Sequence, residues 1–117
     1  MVEFNFSQLE FADNIKFVIL GIPLDCTSAK PTDSRNAPAI IREISNQFAD
    51  YTEHEFDLNQ ALIFDAGDIE VSNTKKNLDI DLKEIDNKLN SFKNAKNICF
   101  VVLGGDHFIS YPVFRNL

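Results

Sequence analysis

Val101-Val102-Leu103-Gly104-Gly105-Asp106-His107-Phe108-Ile109-Ser110-Tyr111-Pro112 decides how this 117-residue chain is read. An apolar run without alternation reads as a strand covered on both faces. Two glycines end it, and an acid and an imidazole stand where the chain turns. In open α/β sheets the ligand crevice lies outside the carboxyl ends of the strands. On the tetrapeptide Gly104-Gly105-Asp106-His107 alone, three roles stay open. It is a metal ligand with an acidic neighbour, a general base on a strand end, or a structural turn in which Asp106 caps the next helix.

Working outward, two earlier stretches have the same character. Lys16-Phe17-Val18-Ile19-Leu20-Gly21-Ile22-Pro23 is apolar at successive positions and ends on Gly and Pro. Ala61-Leu62-Ile63-Phe64-Asp65-Ala66-Gly67-Asp68 ends on glycine and acid. The third strand is expected over 97–103, with Cys99 inside it as a small buried hydrophobe. Between the first two strands runs a polar loop to Arg35 carrying Thr27, Ser28, Lys30, Pro31, Thr32, Asp33 and Ser34, all turn formers. A long loop at a strand's carboxyl end is commonly a functional one.

Pro38 suits the first turn of a helix. Ile40, Ile41, Ile44 and Phe48 make its expected apolar face, Arg42 and Glu43 are expected to point away from it, and its end is expected near Ala49-Asp50. A second helix carries Leu78, Leu82, Ile85, Leu89 and Phe92 at spacings of four and three, a clear amphipathic stripe. Asp79 and Asp81 suit its positive end, Lys88 and Lys93 its negative end. The segment after His107 starts a further helix with no C-cap signal. Residues 1–14 read as an irregular arm that packs by its Phe side chains. His54, between Glu53 and Glu55, reads as a solvated surface residue.

Strands alternating with helices imply a parallel α/β sheet with right-handed crossovers. Three strands make an unfinished sheet, so the chain is expected to be the front portion of a larger domain. The formal net charge of −7 argues against a nucleic-acid surface. It favours a cationic small substrate over an anionic one. Two cysteines without a C-x-x-C give no disulfide framework. With no signal peptide and no apolar run of the roughly 20 residues that span a bilayer, no membrane partner is expected and a cytoplasmic location is. No G-x-S-x-G, P-loop or G-x-G-x-x-G occurs.

Four segments in order resemble the ureohydrolases, the family of arginases and agmatinases. Gly104-Gly105-Asp106-His107 is similar to the family's GGDH signature. Gly21-Ile22-Pro23-Leu24-Asp25 resembles its G-[VI]-P-x-D strand end, and Asp65-Ala66-Gly67-Asp68 its D-x-G-D. Arg35-Asn36-Ala37-Pro38-Ala39-Ile40-Ile41-Arg42-Glu43-Ile44-Ser45 looks like R-x-G-P-x-x-I-R-x-x-S, except that Ala37 stands where the family has Gly. The departure puts the shape of that loop in question, not the fold.

The resemblance implies a three-layer α/β/α sandwich, of which residues 1–117 form the N-terminal portion of one domain. It implies a centre of two Mn²⁺ ions and hydrolysis of a guanidinium group by a metal-bridging hydroxide, releasing urea and an amine. His107 corresponds to the first metal ligand and Asp106 to its neighbour, expected to orient it. No catalytic residue is assigned within these 117 residues, and the remaining ligands belong to D-A-H-x-D and D-x-D segments that are not here. The chain alone is therefore expected to be inactive and to need the C-terminal portion of the same protein. A homo-oligomer is expected for the complete form. The strand-end dressings look closest to agmatinases, with arginine, guanidinobutyrate and formiminoglutamate as other substrates. The alternative is a non-catalytic α/β binding module on the same fold.

Overall fold

The computed structural model describes residues 2–30 and 32–117, so Met1 of the arm and Pro31 of the loop lie outside the described residues. Among the described residues four parallel strands form one sheet: β1 (Ser7–Gln8), β2 (Phe17–Ile22), β3 (Ile63–Asp68) and β4 (Cys99–Gly104), in the spatial order β1-β3-β2-β4. The helices are α1 (Ala37–Ser45), α2 (Leu78–Asn90) and α3 (Ser110–Arg115). The three expected strands stand where the apolar runs put them. The fourth, β1, is a correction to the three-strand reading. The arm adds a two-residue edge strand to β3 rather than packing irregularly, while Phe11 meets Phe64 and Phe92 edge-on at ring separations of 5.5 and 5.4 Å.

The central strand β2 divides the core. Val18, Leu20 and Ile22 are fully buried and share one face. Leu20 and Ile22 pack there with Leu24, Ile69, Ile85, Leu89 of α2 and Ile109 at the entry to α3. The helical stripe of α2 was expected, and Ile85 and Leu89 are its buried centre.

The opposite face is built on charge. In register, Ile19 lies beside Asp65 and Val101, but Gly21 lies beside Asp68, so β3 carries an extra residue against β2. Residues three apart on a regular strand face opposite ways. The bulge, with Gly67 at φ 77°, returns Asp68 to the same side as Asp65. Both carboxylates meet Arg42 of α1. Its Nε and Nη2 donate to the two oxygens of Asp65 at 2.8 and 2.9 Å, and its Nη1 donates to Asp68.

Arg42 therefore has zero exposure, which corrects its expected outward direction. The apolar face expected to bury α1 is corrected too: Ile40, Ile41 and Ile44 are 50%, 40% and 44% exposed, and Phe48 is 63% exposed. Facing carboxylates chose which side of the helix goes in. The helix also stops four residues early. Ser45 Oγ and Asn46 Nδ2 both donate to the Arg42 carbonyl, and side-chain bonds of this kind compete with the helical ladder. Cys99 is exposed on β4, not buried: it shares its strand face with Val101, which is 40% exposed.

Candidate functional site

Adjacent strands β2 and β4 send their chains to opposite faces of the sheet. From β2 the chain leads to α1 on the charged face, and from β4 to α3, beside α2 on the apolar face. A crevice at the carboxyl ends of two such strands is the expected ligand position in this architecture. The two strand-end segments are stitched past the end of the ladder. Gly105 N donates to the Ile22 carbonyl at 3.0 Å and Asp106 N to the Leu24 carbonyl at 2.8 Å. A Cβ on Gly105 would stand 2.2 Å from the Leu24 carbonyl oxygen, so only glycine permits this approach.

His107 begins a single 3₁₀ turn ahead of α3, and its side chain is exposed. Asp106 is buried, but its carboxylate does not orient His107. Its oxygens accept hydroxyl bonds from Thr27 Oγ1 at 2.7 Å, Ser28 Oγ at 2.5 Å and Ser34 Oγ at 3.0 Å. Among the described residues its side chain fastens the loop after β2. Burial pushes its carboxyl up, and the hydroxyls of Ser28, Thr27 and Ser34 more than offset this, holding it below the usual carboxylate range.

The same loop is closed at its base. Arg35 Nη2 lies 2.6 Å from Asp25 Oδ1, and its Nε donates to both Asp25 oxygens. The Arg35 hydrogen bond holds Asp25 below its ordinary value. Entry into α1 needs no glycine at position 37: Ala37 sits at φ −59°, ψ −45°, ordinary helix, and the left-handed residue is Asp33 at φ 55°.

A third fastening was not legible in the sequence. Asn73, in the loop after β3, accepts from Asp25 N at 2.8 Å and Cys26 N at 3.0 Å through Oδ1, and donates from Nδ2 to the Pro23 carbonyl at 2.7 Å. Asp81 of α2, 1% exposed, holds Asn73 in turn. It accepts from Ser72 N at 2.7 Å, Ser72 Oγ at 3.1 Å and Asn73 N at 3.2 Å. Only long-range partnership reveals these two, since their spacing follows no motif.

Beside this wall lies an open cleft of about 550 Å³ lined by Pro23, Arg35, Ile69, Val71 and Asn73 among others. A cavity of about 630 Å³ lined by Phe11, Phe64, Phe92 and Ile98 lies at the amino ends of the strands, away from His107. His54 is exposed in the connector before β3, as expected of a surface residue.

Whether this site fits a manganese centre is decided by its donors. Among the described residues no group of three or more His, Cys, Asp or Glu side chains is placed to hold a metal ion. Asp106 spends its oxygens on hydroxyls and Asp25 on Arg35. One imidazole is left, and these residues by themselves do not fit the centre.

Compared with known proteins, residues 15–117 match the model of the arginase family. The chain is 34% identical over 103 residues to the agmatinase of Bacillus cereus, covering 86% of this chain and 34% of that protein. It is 35% identical over 101 residues to the formimidoylglutamase of Halalkalibacterium halodurans, covering 85% of this chain and 31% of that one. The crystal structure of the agmatine ureohydrolase of Thermoplasma volcanium superposes with a TM-score of 0.81 at 24% identity, covering all of this chain and 39% of that one, a likeness of fold. The chain thus spans about a third of the length of the curated relatives it matches.

Proposed function

This chain belongs to the arginase family, and from that premise we propose that it serves in an agmatinase-like hydrolase, which breaks a C–N bond of a small guanidinium compound and releases urea and an amine. The observation that carries the reading is where the polar crevice wall meets the His107 turn: at the carboxyl ends of β2 and β4, in a chain that matches the family from Ile15 onward. Agmatine is favoured over arginine, guanidinobutyrate and formiminoglutamate, because several curated relatives at 30% to 35% identity are named agmatinase. A cationic substrate also suits an acidic chain.

In this reading residues 1–117 are the N-terminal portion of one α/β domain, and two Mn²⁺ ions are the cofactor. His107 supplies one ligand to them, and the other ligands lie outside these residues. The exposed imidazole is free to meet such a partner segment, and the fastened loop keeps the crevice in one shape before substrate arrives, which lowers the ordering cost of binding. The complete protein is proposed to be cytoplasmic and homo-oligomeric. The test is hydrolysis by the complete gene product with Mn²⁺, read as urea from agmatine, arginine and guanidinobutyrate and as formamide from formiminoglutamate. Release from agmatine in preference to the others is expected, and release from none of them would overturn the reading.

The second reading is a non-catalytic binding module on the same fold. A folded complete product that loads no Mn²⁺ and releases no urea would select it.

A further inference from the structure

We infer that Asn73 is a positioning residue for the crevice, which sets where Asp25 and Cys26 stand at the end of β2 and so presents the following loop to Asp106. The inference rests on the proposed function only for what the crevice binds. The placement itself stands on contacts.

Three backbone groups, Asp25 N, Cys26 N and the Pro23 carbonyl, leave β2 with no strand to pair with and end on one side chain. The side-chain amide supplies an acceptor for the two N–H groups on one atom and a donor for the carbonyl on another, and that pattern also fixes which end of the amide is oxygen. Asn73 itself is held at φ 60°, a conformation Asn tolerates better than most residues. Its backbone N–H and the neighbouring Ser72 are pinned by the buried Asp81. The order of support therefore runs from α2 through Asp81 to Asn73, and from Asn73 to residues 23–26. There the Asp25–Arg35 pair and the three hydroxyls on Asp106 take over.

Asp106 and Asp25 hold the loop through side-chain contacts. The Asn73 clamp fixes main chain, 48 residues distant in sequence from Asp25, and joins the loop after β3 to the loop after β2. Asn73 touches no reacting atom in this placement. Its effect on substrate passes through the position of the 25–35 loop.

Two substitutions separate the clamp from the backbone. Asn73→Gly keeps the left-handed conformation at no steric cost and deletes the clamp. Asn73→Asp keeps the acceptor for Asp25 and Cys26 but sets a carboxylate against the Pro23 carbonyl. Hydrogen exchange on the 117-residue chain reads the amides of Asp25 and Cys26. In Asn73→Gly they are expected to exchange about ten-fold faster, while amides of β2 and α2 keep their protection. In Asn73→Asp a smaller loss is expected at the same two amides. Unchanged protection of both amides in both variants would overturn the inference, as would an equal loss across β2 and α2.

In the complete gene product, Asn73→Gly is expected to raise KM for agmatine several-fold with kcat held within about two-fold, since binding geometry and not chemistry is disturbed. A fall in kcat with KM unchanged would also overturn it. If the wild type hydrolyses no guanidino compound, the proposed function fails, and the exchange result still decides the role of Asn73.

Discussion

Helices α1 and α2 lie on opposite faces of one sheet, carry comparable apolar stripes, and obey different rules. In α2 the stripe goes in: Ile85 and Leu89 are 0% and 4% exposed. In α1 the stripe stays out, and Arg42 goes in to meet Asp65 and Asp68. A pattern of apolar spacing shows that a helix has a preferred face, but the surface it meets decides which face is buried. On the β3 side that surface is two carboxylates brought together by a bulge. Arginine suits such a place because its planar fork satisfies a carboxylate with two parallel hydrogen bonds.

The largest effect expected of this difference is at Arg42. Arg42→Met removes the cation and leaves Asp65 buried without it, a loss of about 3–5 kcal/mol by analogy with other broken buried pairs. Thermal unfolding would shift down by roughly ten degrees or more for a chain of this size. Ile85→Ala on the apolar face is expected to cost about 2–4 kcal/mol through lost burial and the cavity left behind. The two numbers are close, but their pH dependence separates the faces.

Asp65 is the discriminating group. Burial pushes its carboxyl up, and Arg42 together with the amides of Phe4 and Gly67 more than reverses this, so its folded value lies below 3.8. A depressed carboxylate adds stability that is present above its unfolded value and is lost as pH falls through the folded one. Wild type and Ile85→Ala should both lose stability as acid is added below about pH 4. In Arg42→Met the carboxyl loses the Arg42 contacts that lower it, its folded value rises, and the acid-induced loss of stability below about pH 4 shrinks relative to the other two proteins. Melting temperatures of the three proteins across that range would show it, and parallel curves would sink the assignment of α1 to charge.

The smallest effect belongs to the stripe of α1. Ile44→Ser, at a position 44% exposed, is expected to change stability of this chain by less than about 0.5 kcal/mol. The matching Ile85→Ser on α2 should be severely destabilising. Denaturant midpoints on the pair are enough, and comparable losses would erase the contrast.

Much of the fold was legible because parallel strands read as apolar runs, even β4, whose Cys99 and Val101 are exposed. The expected spans 16–23, 61–68 and 97–103 contain or nearly contain Phe17–Ile22, Ile63–Asp68 and Cys99–Gly104. Strand β1 was not legible, since two edge residues bury little and follow no run. Its position rests on distant polar contacts, Phe4 N to Asp65 and Asn5 N to Ser45 Oγ, at 2.7 and 2.8 Å. The direction of α1 was misread for a related reason, because it depends on a bulge that local periodicity does not encode.

At the site, the placement of Gly104-Gly105-Asp106-His107 at a strand end was legible from residue type alone. What Asp106 does was not. Its hydroxyl partners lie 72 to 79 residues away, and a neighbour in sequence proved not to be a partner in space. Asn73 was missed on the same ground, its backbone partners lying 47 to 50 residues away.

The most direct test of the central claim, that His107 is one ligand of a metal site in a guanidinium hydrolase, is Mn²⁺ titration of the complete gene product followed by electron paramagnetic resonance, with and without His107→Ala. Wild type is expected to load Mn²⁺ and the variant to hold fewer ions per chain, with urea release falling in step. Equal loading of both proteins, with equal urea release, would contradict the claim.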